Sequence, residues 1–398
     1  MITVEEAENI IRDHKLPVAD ESLPLDRCYG KVLREDLFAD RDFPPYNRVT
    51  MDGIAIDYKS FSEGKSTMEI QGVAAAGSPQ LALANRDACL EVMTGSILPT
   101  GTDTVIRYED LEIRDNKATI REENIVQGQN IHYQGEDRVK GDLIVKKGTT
   151  LSAAEIGICA TIGKSWLKVS QLPKVMVIST GDELVDIDEV PRPHEIRRSN
   201  IYRLKSTLGN LGIQADTAHL QDDKEEIQKK LSQFVKSYDV IMLSGGVSKG
   251  KFDFLPAALE SVGVQKLFHK IKQRPGKPFW FGVHADGCVV FALPGNPVSS
   301  FMCMQRYFIP WLNHSLGKKT GQTPHAVLAR PVEFKPDLVY FVQVKINFSH
   351  EGKLLAFPVE GHGSGDLANL VEADGFLELP RGKNDFKSGE AYPLITFR

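Results

Sequence analysis

Asp239-Val-Ile-Met-Leu-Ser244-Gly245-Gly246-Val247-Ser248-Lys249-Gly250-Lys251-Phe252-Asp253 carries the reading of the fold: an apolar run of strand character stops at a glycine-rich loop that closes on a carboxylate. Glycine lets backbone N–H groups approach phosphate-like oxygens closely, and a carboxylate a few residues on can hold the Mg²⁺ that accompanies such a ligand. Gly245 to Lys251 matches the G-x-x-x-x-G-K part of a P-loop, but Phe252 stands where that mechanism needs a Ser or Thr hydroxyl. A P-loop is therefore excluded. The plain alternative is a tight turn whose glycines only supply positive φ.

Outward from this stretch, strand and helix alternate from Lys174 onward. Val175-Met-Val-Ile-Ser reads as a strand, Ser199 to Leu211 and Lys224 to Lys236 as helices, Asp239 to Leu243 as a strand, Leu255 to Ser261 as a helix, Cys288 to Leu293 as a strand and Val298 to Leu312 as a helix. Such alternation predicts a parallel, doubly wound α/β sheet. Between about residues 30 and 150, short β-like runs such as Gly53-Ile-Ala-Ile, Cys89-Leu-Glu-Val-Met and Thr104-Val-Ile-Arg are separated by turn signals. A polar linker follows residue 312, and Val327 to Arg398 alternates like a small β-barrel. The expected organisation is a discontinuous N-terminal domain (1–45 and 140–172), an inserted β-rich domain (46–139), the α/β domain (173–315) and a C-terminal β-barrel (320–398).

The chain has 398 residues and a net charge of −5, which gives no general attraction for nucleic acid or an acidic membrane. An anionic ligand must be drawn in by local donors. The five cysteines, Cys28, Cys89, Cys159, Cys288 and Cys303, form no C-x-x-C pair, which argues against a disulfide framework or a structural zinc site. A cytoplasmic setting is expected. The N-terminus reads as an amphipathic helix capped by Thr3, with no cationic n-region or apolar h-region, and no run reaches membrane-spanning length.

Ligands of open α/β sheets sit at the carboxyl ends of the strands. Three expected strands end in Ser179-Thr180-Gly181-Asp182-Glu183-Leu184, in the Ser244 loop, and in Leu293-Pro294-Gly295-Asn296-Pro297. Arg274-Pro275-Gly276-Lys277-Pro278 adds two cations on a proline-bracketed turn. Each has an ordinary reading as turn chemistry. Asp52-Gly53 reads equally as a hairpin turn, Asp137 as a solvated turn residue, Lys277 as a surface lysine, and Trp280 and Phe281 as core.

Taken in order, the motifs resemble those of the MoeA-type molybdopterin molybdenumtransferases, the gephyrin E-domain family. They are Pro45-x-x-x-Val-Thr50-Met51-Asp52-Gly53-Ile-Ala, Met93-Thr94-Gly95-x-x-Leu98-Pro99-x-Gly101-x-Asp103-x-Val105, Gly135-Glu136-Asp137, Ser179-Thr-Gly-Asp-Glu-Leu, Ser199-Asn200, the Ser244 loop through Asp253, Pro275-Gly-Lys-Pro, Leu293-Pro-Gly-Asn-Pro, Gly363-Ser364 and Ala373-Asp374-Gly375. The resemblance implies a central MogA-like α/β domain and Mg²⁺-dependent insertion of molybdate into adenylated molybdopterin with release of AMP. It implies Glu183 and Asp253 as metal ligands, and Gly245, Gly246, Ser248, Pro294, Gly295, Asn296 and Pro297 around the substrate phosphates. Arg274, Lys277 and Ser364 match positions that hold the tetrahedral oxyanion. Asp52, Thr94 and Asp137 match residues that reach the site across a homodimer, and a molybdopterin adenylyltransferase is an implied partner.

The chain departs from the family pattern at His132, where an Arg precedes Gly-Glu-Asp, and at Arg198, where an acid precedes Ser-Asn. It also has Lys249 in the glycine loop, Arg274 for a Lys, and Gln343 where an Arg serves the oxyanion pocket. Two other functions stay open on the residues alone. A nucleotide-hydrolysing or phosphotransfer enzyme would use the same glycine loop, and a non-catalytic scaffold would keep the fold.

Overall fold

The computed structural model describes residues 1–247, 254–361, 363 and 365–398; Ser248, Lys249, Asp253 and Ser364 lie outside the described residues. The chain divides into two compact units. One comprises Met1–Arg34, Gly148–Ser152 and Leu167–Arg398, the other Glu35–Lys147 and Ala153–Trp166.

The first unit is built on six strands, β1 (Val175–Thr180), β2 (Asp216–Leu220), β3 (Val240–Ser244), β4 (Val264–His269), β5 (Trp280–His284) and β6 (Val289–Leu293), in the order β2-β1-β3-β6-β5-β4. β2, β1, β3 and β6 are parallel, as the alternation predicts. β5 instead runs antiparallel to β6, and β4 antiparallel to β5. The physical reason is length: the turn through Asp286 and Gly287, closed by Gly287 N–H donating to His284 C=O at 2.9 Å, is too short for the crossover that parallel neighbours need.

Both faces of this sheet are covered, so its central strands β1, β3 and β6 are buried along their whole length and mostly apolar, while the edge strands β2 and β4 carry exposed polar residues. Val175, Val177, Val240, Met242, Val289 and Phe291 point to one face; Met176, Ile178, Ile241, Leu243, Val290 and Ala292 point to the other. On the first face lies α1 (Ser199–Asn210), burying Ile201, Leu204 and Leu208 at helical spacing. On the second lie α2 (Lys224–Ser237), capped by the Asp223 carboxylate, and α3 (Leu255–Ser261). The last helical stretch is continuous but irregular: α4 (Pro297–Cys303) passes through a π-helical turn, Met304–Phe308, into α5 (Ile309–Ser315). Pro310 has no N–H for the α ladder, and the wider turn before it relieves that loss.

In the same unit, Val339–Phe348, Leu354–Pro358, His325–Leu328, Ala391–Thr396 and Gly375–Leu379 pair in that order, and the last pairs back to the first. This is a closed five-stranded barrel. A short strand from the α/β part, Gln273–Arg274, joins it by running parallel to Val339–Tyr340.

The second unit carries a six-stranded sheet in the order Thr104–Arg107, Gly53–Ile56, Cys89–Val92, Thr67–Ala74, Lys117–Ile120, Leu111–Arg114. Gly53 is not in a hairpin turn. It opens a central strand, and a Cβ there would lie 1.9 Å from the Ile106 carbonyl oxygen, so only glycine fits. Among the described residues no helix is long and apolar enough to cross a membrane.

Candidate active site

A cleft of about 700 Å³ opens at the carboxyl ends of β1, β3 and β6, where the parallel sheet places ligands. Its wall includes Thr180, Glu183, Asn200, Gly245, Gly246, Arg274, Lys277, Pro294, Gly295, Asn296 and Pro297. The loops that the sequence scatters over more than a hundred residues thus meet on one surface.

Glycine is required at the floor. Gly245 and Gly246 have φ of 107° and 68°, and a Cβ on Gly246 would sit 2.4 Å from Leu255 Cδ1. Gly295 lies against this backbone, and a Cβ there would make ordinary contact with Gly245 Cα at 3.4 Å. Beside them the hydroxyl of Thr180 is enclosed and has no partner among the described residues. An orphaned hydroxyl and crowded glycine backbone offer donors to an oxyanion without any charged side chain.

Asn200, from the first turn of α1, holds these loops together. Its Nδ2 donates to Ser244 Oγ at 2.9 Å and to the Gly295 carbonyl at 2.6 Å. On the opposite side Glu183 is exposed in the cleft wall, its carboxylate folded over Gly181 so that a Cβ there would lie 2.4 Å from Oε2. Among the described residues no group of three or more His, Cys, Asp or Glu side chains is arranged to hold a metal. Asp253, the second expected ligand, falls outside those residues, as do Ser248 and Ser364.

Arg274 and Lys277 are exposed on their turn and make no ion pair among the described residues, so both charges face the cleft unneutralised. The turn beneath them is rigid. Gln273, fully buried, donates through Nε2 to the Gly276 carbonyl at 3.0 Å and accepts from the hydroxyl of Tyr307 on the π-helical turn. A Cβ on Gly276 would collide with Cys303 Sγ at 2.6 Å. Gln343 is elsewhere: it sits on the barrel strand opposite Phe376, nearly buried, its Oε1 without a partner among the described residues, and it does not line the cleft. Lys345 is ion-paired with Asp374 at 3.1 Å.

Asp52, Thr94 and Asp137 belong to the second unit. Asp52 Oδ1 accepts from both the backbone N–H and the hydroxyl of Thr94. Asp137 Oδ1 accepts from His132 Nε2 at 3.1 Å, while Nδ1 of the same ring lies 3.0 Å from Arg48 Nη2. Arginine only donates, so Nδ1 accepts and the proton sits on Nε2. A permanent cation, Arg48, therefore adjoins the His132 ring on the side away from Asp137 Oδ1.

Sequence reasoning did not assign roles to Gln273, Tyr307 or Arg203. Gln273 and Tyr307 are far apart in the chain and show no local pattern. Asn200 did carry a signal, as part of the Ser199-Asn200 motif at the start of an expected helix.

A parallel sheet whose glycine loops, orphaned hydroxyl and unpaired cations share one cleft has the donor set of a site for an anionic, phosphorylated ligand. Comparison with known proteins names the family. Residues 2–163 match the MoeA N-terminal region (domain I and II), 176–314 a probable molybdopterin binding domain, and 325–397 the MoeA C-terminal region (domain IV). A molybdopterin molybdenumtransferase of Synechocystis is 39% identical over 400 residues, covering 100% of both chains. One from Staphylococcus epidermidis is 30% identical over 99% of this chain and 95% of its own. The crystal structure of a molybdopterin biosynthesis MoeA protein from Pyrococcus horikosii superposes with a TM-score of 0.83 at 28% identity, over 100% of this chain and 99% of that one. The chain belongs to the MoeA family of molybdopterin molybdenumtransferases.

Proposed function

We propose that this chain is the molybdopterin molybdenumtransferase its family implies, inserting molybdate into the dithiolene of adenylated molybdopterin and releasing AMP, in the cytoplasm. The observation that supports it is the convergence of Gly245, Gly246, Gly295 and the orphaned Thr180 hydroxyl with the unpaired Arg274 and Lys277 on one cleft. The glycine loops suit the phosphates, and the two cations suit a tetrahedral dianion. The reaction needs little covalent help from the protein, so holding both anions in register and stabilising developing charge carries the rate.

Mg²⁺, when bound, neutralises phosphate oxygens; hard carboxylate ligands fit it, and Glu183 in the cleft wall with Asp253 would hold it. Asp52, Thr94 and Asp137 complete the site in a homodimer, each subunit lending them to its partner. We retain the four domains expected from the sequence, the N-terminal one (1–45 and 140–172) being divided between the two compact units, and a molybdopterin adenylyltransferase is the natural supplier of the adenylated substrate.

The test is to mix purified protein with adenylated molybdopterin, Mg²⁺ and molybdate and follow AMP. Molybdate-dependent AMP release is expected. Hydrolysis of ATP with no pterin present, and no AMP from the pterin, would refute the reading in favour of a nucleotide-hydrolysing enzyme.

A further inference from the structure

Arg203 stands on α1, one layer behind the cleft wall. Its Nη2 donates to Asn200 Oδ1 at 2.7 Å, to the Pro297 carbonyl at 2.7 Å and to Ser300 Oγ at 3.1 Å. Nε and Nη1 are enclosed and have no hydrogen-bond partner among the described residues. The guanidinium lies 5.4 Å from the centre of the Phe301 ring, and burial alone pulls its pKa down to about 10, with no carboxylate acting against the shift. Elsewhere in the same unit a buried arginine is matched in the usual way: Arg306 pairs with Glu8 at 2.8 Å and Glu378 at 2.9 Å. An enclosed cation without a counter-ion destabilises the fold that holds it. Two of the three acceptors it reaches, Asn200 and Pro297, are themselves part of the cleft wall.

We propose that Arg203 is a positioning and specificity residue of this cleft, locking the Asn200 amide that ties the Ser244 and Gly295 loops together and biasing the cleft, through its unneutralised charge, toward ligands of higher negative charge. The inference rests on reading the cleft as a phosphate site. Geometry and charge act separately here. The hydrogen bond to Asn200 Oδ1 fixes which way the amide turns, so that Nδ2 faces Ser244 and Gly295. The charge works through space across a poorly screened wall, and its effect grows with the charge of the ligand.

Calorimetric titration of wild type, Arg203→Met, Arg203→Lys and Asn200→Ala with AMP and with the more highly charged pyrophosphate separates the two, with thermal unfolding followed alongside. Arg203→Met is expected to melt no lower than wild type, since an unpaired buried charge has gone, yet to bind AMP about tenfold more weakly (about 1.4 kcal/mol) and pyrophosphate more weakly still. Arg203→Lys should recover the preference for pyrophosphate. Asn200→Ala should weaken both ligands alike while keeping that preference, and this arm decides the matter even if Arg203→Met does not fold. Wild-type affinity in Arg203→Met, or loss of the preference in Asn200→Ala, overturns the role of Arg203 alone. Wild type that binds neither ligand overturns the phosphate reading of the cleft and this inference with it.

Discussion

Thr94 donates twice to a single oxygen: its backbone N–H and its hydroxyl reach Asp52 Oδ1 at 2.6 and 2.7 Å. These two bonds hold the Asp52 carboxyl below the usual carboxylate range. The bonds favour the ionised form, so they support the fold above the ordinary carboxylate pKa of about 3.9 and lose that effect as pH falls through the lowered native value. Thr94→Val removes the hydroxyl and keeps the N–H. The Asp52 titration midpoint, followed by carboxyl NMR, should then rise toward the ordinary value; an unmoved midpoint would show that the hydroxyl contributes nothing.

Gly53→Ala should unfold or severely destabilise the second unit. A Cβ 1.9 Å from the Ile106 carbonyl forces the Gly53 strand away from its edge neighbour, Thr104–Arg107, and a loss of about 3 kcal/mol or more is the scale for such overpacking. Denaturant unfolding monitored in that unit would measure it. A loss below about 1 kcal/mol would mean the strands can separate cheaply.

Lys277→Ala and Arg274→Ala each remove a cation with no carboxylate partner among the described residues, so neither change should harm stability. Each should raise the molybdate concentration for half-maximal insertion by roughly tenfold or more, the scale of one charge-assisted hydrogen bond at about 1.5–3 kcal/mol. Molybdate titration at fixed pterin provides the check. If both variants respond to molybdate as wild type does, the oxyanion is held elsewhere.

Tyr307→Phe tests whether the cationic turn is held from behind. It leaves the buried Gln273 Oε1 without its donor, an expected loss of about 1–3 kcal/mol in stability. The freed Gln273 should also loosen Gly276 and weaken molybdate binding while leaving AMP binding near that of wild type. Equal weakening of both ligands would contradict this division of labour.

Asp52→Ala and Asp253→Ala subunits, each inactive alone, should regain activity when mixed and allowed to exchange, because a heterodimer holds one intact set of both residues. Mass spectrometry can verify the exchange. Exchanged but inactive heterodimers would count against a site shared between subunits.

Much of the central domain is readable because its signals are local. Val175-Met-Val-Ile and Val240-Ile-Met-Leu are apolar on both faces, a mark of a covered strand, and each passes through one or two small polar residues to stop at a glycine, Gly181 or Gly245. The β5–β6 hairpin was harder to see, since Trp280-Phe281 and Cys288-Val289 are equally apolar and only the shortness of the turn at Gly287 distinguishes antiparallel neighbours. Asp52-Gly53 misleads for a related reason: the dipeptide has good turn chemistry, yet the glycine answers to a carbonyl 53 positions away.

The candidate site divides in the same manner. Residue types and spacing along the chain were enough to mark Gly245, Gly246, Gly295, Arg274 and Lys277 as candidates, because glycine permissiveness and fixed charge are properties of the residue itself. Tertiary structure alone decided that Asn200 would bridge Ser244 and Gly295, that Gln273 would pair beside Val339 and receive the Tyr307 hydroxyl, and that Arg203 would lie behind the wall without a counter-ion. A hydrogen bond between residues distant in the chain leaves no periodicity in the sequence. Its energy depends on burial and orientation, and those exist only once the sheet, its helices and the barrel have closed around it.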